Sequence, residues 1–427
     1  MNTIDENLIL FIDSCFEEEL YYSGLEILDV VLMPKKNENL EFIPFLPEKY
    51  LRVLMNLIIQ KSHENYHISQ KAAQLVHRII YSKKLYRNEL NTQWFWMFSH
   101  NKRSQRSKRQ DNDINTDYLD MQDNMQLNLT KSIFSKFSNI WELVQQCFNE
   151  SSPYLYVFLD CIITILEMDW KEYSEQEFEK ELEKTLLMNS FKNDNKEKPD
   201  IKQILTAIFN NIESEEYKCP LSSNIVELPD EKKTSSVKSI ESMMLRKRFL
   251  YLIYDAVCSL PTYFNQFNFE NELSIYLKNL EIDKFIFYFS NAIPPSLKIN
   301  LCHLLLVKYS IHSKLSKHFS ELSIDMLRLW PTIASQAKLR LPEKAKYSFL
   351  LQLMLKHVYK NHVSKKPTQE EKQAIEIAKN NRVSLFNEEI KKIREKNKIT
   401  DNVLHIQNIF EHSEYVISLI LKKKLQN

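Results

Sequence analysis

Three observations predict an all-α fold, an irregular HEAT-like helical array with no substantial sheet. Glycine occurs once in 427 residues, at Gly24. Apolar residues recur three and four positions apart over most of the chain, the period of one buried helical face. Short polar or proline-containing stretches interrupt these runs, giving helix after helix of about 12–20 residues rather than one long coil.

The single glycine also excludes functions. Phosphate-cradling loops and dinucleotide folds need glycines where the backbone turns with positive φ or approaches a phosphate closely. One glycine builds neither, which removes P-loop NTPases, kinases and Rossmann dehydrogenases and disfavours sheets joined by tight hairpins. Hydrophobic residues make up 44% of the chain and charged residues 26%, enough to bury a sizeable core. Lys plus Arg is 57 against Asp plus Glu at 56, so no charge of one sign dominates and any charged surface is local. Six widely spaced cysteines form no C-x-x-C pair and fit a reducing compartment. The first twenty residues are acidic and carry no Lys or Arg, unlike a secretory or mitochondrial signal. No uncharged apolar run approaches the ~20 residues of a membrane span. These features predict a cytoplasmic or nuclear protein with no membrane association.

The elements follow in order. Ile4 to Leu32 has helical spacing and is closed by Pro34. Pro44 and Pro47 open a helix whose inner face is Leu51, Leu54, Met55 and Ile58, and a second helix buries Ile68, Leu75, Val76, Ile79 and Ile80. A passage with aromatic residues (Trp94, Phe95, Trp96, Phe98), then basic and then acidic ones, reads as an exposed loop over about 99–120. Helices resume around Trp141. After Ser152 and Pro153 comes one whose wide apolar face (Ile162, Ile163, Ile165, Leu166) marks an internal helix. From 189 to 242 the composition shifts to Asn, Lys, Glu and Ser, with one short helix at "IKQILTAIFNNI". This divides the chain into an N-terminal helical region 1–188, a linker 189–242 and a C-terminal helical region 243–427. The last hundred residues are amphipathic, with opposite charges four apart. Arrays of this type present surfaces to other proteins.

Three short patterns bear on function. "QKSHENYHISQ" contains His63, Glu64 and His67 in the H-E-x-x-H order of zinc metallopeptidases, two imidazoles for the metal and a carboxylate for its water. The five residues fall in a polar connection between two helices, and the position of the third metzincin histidine is Ala73. A solvated turn is the preferred reading, and no metal or other cofactor is expected. Lys102, Arg103, Arg106, Lys108 and Arg109 place five basic residues in eight positions, the make-up of a nuclear-localisation signal, a phosphate-contacting loop or a solvated loop. Direct nucleic-acid contact stays open. In "SNIVELPDEKK", Ile225, Val226 and Leu228 precede Asp230 and Glu231. This is the pattern of a SUMO-interaction motif, in which an extended peptide adds a strand to the modifier's sheet and acids meet its basic rim. The alternative is that the aliphatic trio pins the linker to the core. Cys302 and His303, adjacent on a helix, point in different directions and form no nucleophile–base pair. No catalytic constellation emerges, so a non-enzymatic protein is expected.

The stretch "LNLTKSIFSKFSNIWELVQQCFN…YLYVFLDCIITILEMDW" resembles non-SMC element five, a fungal helical subunit of the SMC five-six genome-maintenance complex. Leu127, Asn128 and Leu129 after a charged loop, the Trp141 helix and the apolar helix ending at Trp170 carry the likeness. "FIPFLPEKYLRVLMNLI", "WFWMFSHNKRSQRSKR" and "SMMLRKRFLYLIYDAVCSLP" support it in order. The resemblance implies a nuclear, non-enzymatic helical subunit that pairs with a second helical protein, element six. The pair would dock on the SMC five-six core, restrain its ATPase and help load it on DNA. It also implies a link to SUMO. Two other readings stand beside it: an interaction scaffold of another nuclear complex, and a zinc metallohydrolase.

Overall fold

A computed structural model describes residues 5–33, 35–37, 40–42, 48–60, 65–81, 139–150, 153–174, 182, 185–191, 200–210, 212, 230–309, 340–361, 367–377, 391 and 401–426. Helices and the turns between them make up these residues apart from one short pair of strands, as the glycine content and the apolar period require. The chain forms two compact units, Met1–Asn211 with Ile240–Phe264, and Ile212–Ser239 with Asn265–Asn427.

In the first unit, α1 (Glu6–Glu17) begins at Asp5, whose Oδ1 accepts the Asn7 N–H at 2.8 Å. The segment expected to run from Ile4 to Leu32 is broken. Leu20 N–H donates to the Cys15 carbonyl at 2.8 Å and Glu19 N–H to Phe16, with Glu19 at φ 60°. This double closure around a left-handed residue is a Schellman turn, usually made with glycine. The one glycine instead lies inside α2 (Tyr21–Val31), where an added Cβ would meet the Phe16 ring at 3.0 Å. Gly24 is therefore a place where two helices approach closely, and the turn uses a glutamate.

Strands β1 (Lys35–Asn37) and β2 (Leu40–Phe42) pair antiparallel, Lys35 opposite Phe42. Helix α3 (Glu48–Gln60) buries Leu51, Leu54, Met55 and Ile58 as its spacing requires, together with Tyr50, Val53 and Leu57. Helix α4 (Tyr66–Tyr81) packs on it, and Ser69 Oγ donates to the Ile58 carbonyl at 3.0 Å, satisfying a group that α3 leaves open at its end. Lys71 and Arg78 of α4 both reach Asp29 of α2.

At the centre is α6 (Pro153–Ser174), which receives α3, α4, α5 (Ile140–Glu150) and α7 (Leu186–Phe191). Phe158, Leu159, Cys161, Ile162, Ile163, Ile165 and Leu166 are all buried, so the internal helix expected from sequence is present. Helix α8 (Ile201–Phe209), capped by Asp200, forms at the expected short helix and packs on α5. Helix α9 (Asp230–Ser259) contributes residues 240–259 to this unit. Its Phe249 lies between Trp141 and Phe148 with centroids 6.1 and 6.4 Å away. Arg246 is fully buried, its guanidinium 3.9 Å from the Phe148 centroid and its Nε donating to Ser242 Oγ at 3.0 Å.

In the second unit, α10 (Gln266–Asn279), α11 (Ile282–Asn291) and α12 (Pro295–Tyr309) are followed by α13 (Leu341–Asn361), a helical stretch at 369–377 and α14 (Asp401–Gln426). Helix α13 packs against α11, α12 and α14. Phe285 and Phe289 stack at 5.4 Å, and the Phe349 ring meets both edge-on at 6.3 and 6.2 Å.

This division differs from the one drawn from composition. The segment 189–242 holds α8 and the start of α9, and α7 crosses its first boundary.

Candidate functional site

On α6 the residues Tyr156, Val157 and Asp160 share one face. On α9 Ile240, Glu241, Met244, Leu245 and Arg248 recur four apart and share another. With Tyr66 from the first turn of α4, these nine residues line a cleft of about 670 Å³. A cleft of this size holds a few side chains of a bound partner. Tyr66, Ile240 and Met244 stand exposed at its rim.

Its floor is charged. Arg248 presents Nε to both Glu167 oxygens at 3.0 and 3.2 Å and one terminal nitrogen to Glu167 Oε2 at 2.5 Å. That nitrogen also donates to Thr164 Oγ1 at 2.9 Å, and the other terminal nitrogen pairs with Asp160 Oδ1. His77 Nε2 of α4 lies 3.1 Å from Asp160 Oδ2, so one aspartate links α4 and α9 across α6. Burial works to raise the Asp160 pKa, but the His77 hydrogen bond and the Arg248 charge outweigh it and hold the carboxyl below its ordinary value. Burial likewise opposes the Arg248 charge, and Glu167 and Asp160 reverse the balance, raising its pKa. The floor is thus a paired ion cluster joining three helices, two carboxylates on one guanidinium with His77 hydrogen-bonded beside them. The cluster ties the helices together, and the exposed residues around it are Tyr66, Ile240 and Met244 with Glu241 among them.

Sequence reasoning missed Asp160, Thr164, Glu167, His77 and Arg248. A signal was present: Asp160, Thr164 and Glu167 stand at i, i+4 and i+7 in a stretch otherwise apolar from Leu155 to Met168, one polar stripe that must face partners or water.

No family model, curated protein or solved structure matches the chain.

The residues singled out in the sequence are placed as follows. His63 and Glu64 lie outside the described residues. His67 does not lie in the connection; it is exposed in the first turn of α4, its ring 5.6 Å from that of Tyr66. The helix starts at Tyr66 because Ile68, Ala72, Leu75, Val76 and Ile79 already pack inward, and apolar burial decides the start more than local polarity does. Among the described residues no group of three or more His, Cys, Asp or Glu could hold a metal ion. Lys102, Arg103, Arg106, Lys108 and Arg109 lie outside the described residues, as do Ile225, Val226 and Leu228. Asp230 and Glu231 open α9, so the two acids of the SUMO-interaction candidate are helical rather than extended. Acids suit a helix N-terminus, where they meet the positive end of its dipole.

Cys161 and Cys302 show no reactive setting. Burial pushes the Cys161 and Cys302 thiols far up, with the Asp160 charge adding to the effect at Cys161. Cys302 is fully buried while His303 is half-exposed, as adjacent helical positions require. Among the described residues no helix is long and apolar enough to cross a membrane.

Proposed function

We propose that this protein is a non-enzymatic helical scaffold subunit of an SMC five-six type genome-maintenance complex. In this reading it pairs with a second helical subunit and modulates the complex's ATPase and its loading on DNA. The resemblance of the Trp141 and Trp170 helices and their flanking stretches supplies the family. The observation that carries the class is the cleft between α4, α6 and α9, where a largely apolar rim surrounds charges already paired with one another. Paired charges suit a surface that binds, since an acid or base committed to a structural pair is poorly placed to move protons.

Affinity capture of the tagged full-length chain from its native cell, read by mass spectrometry, tests this directly. Recovery of an SMC-type ATPase together with a helical partner is expected. The variant Ile240→Asp/Met244→Asp should recover at least ~10-fold less, because two charges then enter an apolar contact. Repeated capture containing no SMC-type subunit would overturn the assignment.

A further inference from the structure

Residues 1–34 contain eight acids and no Lys or Arg. The neighbouring helices neutralise the inner ones: Lys49 pairs with Asp13, Lys71 with Glu26 and Asp29, and Arg78 with Asp29. The outer ones are left. Glu6, Asn7, Leu10, Phe11, Ser14, Glu17 and Glu18 follow each other at three- and four-residue steps and all are exposed, a continuous stripe on the outside of α1. At its middle Leu10 is 63% and Phe11 58% exposed. Among the described residues none of its three glutamates has an ion-pair partner.

Helix α14 carries the complement. Ile406, Ile409, Ser413 and Ile417 are buried, while Asn408, Glu411, His412, Tyr415, Leu419, Lys422 and Lys423 form the exposed stripe. Tyr415 is 62% and Leu419 47% exposed. The spacing also matches, because Leu10 precedes Glu17 by seven residues and Tyr415 precedes Lys422 by seven. A parallel register sets Leu10 beside Tyr415, Ser14 beside Leu419, Glu17 beside Lys422 and Glu18 beside Lys423. Its one like-charged meeting is Glu6 with Glu411, whose carboxylate accepts a 2.6 Å hydrogen bond from Gln407. The antiparallel register brings Glu18 against Glu411 and leaves only Glu6 for the two lysines.

We propose that the outer face of α1 docks, parallel and in this register, on the outer face of α14 of a second copy of the chain. Two different surfaces meet, so the contact is head-to-tail and propagates from copy to copy unless the geometry closes a ring. One helix pair buries less than the ~1,600 Å² of a stable complex, so assembly is weak, concentration-dependent and reduced by salt. This inference does not depend on the functional reading above.

Sedimentation velocity of the purified full-length chain over about 1–100 μM in low salt tests it. The wild type should sediment faster as concentration rises. Glu17→Lys/Glu18→Lys and Lys422→Glu/Lys423→Glu should each weaken association at least ~10-fold, since two attractive meetings become repulsive. All four residues are exposed, so neither variant threatens folding. Combining the four substitutions should restore assembly, and Leu10→Ser/Phe11→Ser should abolish it. A wild type that sediments independently of concentration overturns the proposal. So does association that ignores the charge reversals, or a four-fold variant that fails to recover.

Discussion

Among the described residues, the long-range contacts of buried or half-buried cations differ in emphasis between the two units. In the first, cations and acids meet across helices: Asp29 of α2 takes Lys71 and Arg78 of α4, and Asp160 and Glu167 of α6 take Arg248 of α9. In the second, the ion pairs shown are local, Lys284 with Glu281 and Arg340 with Glu343, and two lysines reach backbone carbonyls. Lys346 Nζ donates to the carbonyls of Lys278, at 3.0 Å, and Leu280, closing the end of α10, and Lys298 donates to the Ser290 carbonyl at 2.5 Å. Both devices satisfy groups that helix packing would strand, but only the first depends on a carboxylate staying ionised. The two units should therefore answer to acid differently while answering alike to loss of core.

The largest expected effect is the one they share. Phe249→Ala removes the ring between Trp141 and Phe148, and Phe285→Ala the ring stacked on Phe289. Each should cost about 3–5 kcal/mol, because a buried aromatic leaves a cavity that its neighbours fill only in part. Urea denaturation followed by circular dichroism measures both. A cost below about 1 kcal/mol at either site would mean that the core there repacks freely.

Acid should separate them. Burial works to raise the Asp29 pKa, and the hydrogen bonds and charges of Lys71 and Arg78 outweigh it, leaving the carboxyl below the ordinary 3.8. A pKa lowered by folding contributes stability that is complete above the unfolded value, about 3.9, and is lost as pH falls through the folded value. For Lys346, burial lowers the pKa, and the Arg340 and Lys278 charges act the same way against the opposing charges of Glu343 and Glu281. A lysine of this kind is protonated in both folded and unfolded chains in the acid range, so its contribution there is flat. Between about pH 4 and pH 2, hydrogen exchange should show α2 and α4 losing protection while the end of α10 keeps its own. Asp29→Asn should remove about 1–2 kcal/mol near neutrality and flatten the acid dependence in α2 and α4. Lys346→Met should cost about 1 kcal/mol at either pH. Equal acid sensitivity in the two units would break the comparison.

The smallest expected effects lie within the first unit, at its two unusual backbone positions. Glu19 holds φ 60°, so Glu19→Gly should stabilise by about 0.5–1 kcal/mol, the cost of a side chain in the left-handed region. Gly24→Ala should forfeit the helix-propensity gain of about 1 kcal/mol, because the new Cβ would press on the buried Phe16 ring at 3.0 Å. Thermal unfolding of the pair distinguishes the sites: the midpoint should rise with Glu19→Gly and fail to rise with Gly24→Ala.

Gly24 also shows how far the sequence reaches. Its isolation predicted helices and excluded phosphate-binding folds, and both inner faces read from spacing, Leu51 to Ile58 on α3 and Ile162 to Leu166 on α6, are buried. What the glycine does in its helix was not legible, because that depends on Phe16 across a turn whose left-handed residue is an unremarkable glutamate. The cleft was less legible still. Asp160 and Arg248 lie 88 residues apart, and nothing in either stretch names the other as partner.

The apolar period by itself determined the fold class and which face of each helix turns inward, since burying apolar surface is non-directional and needs only the right spacing. The tertiary structure decided which charges meet, which ends of helices are closed and where apolar rims stay exposed. Ion pairs and hydrogen bonds act over a few ångströms between particular atoms, and only the folded chain brings those atoms together.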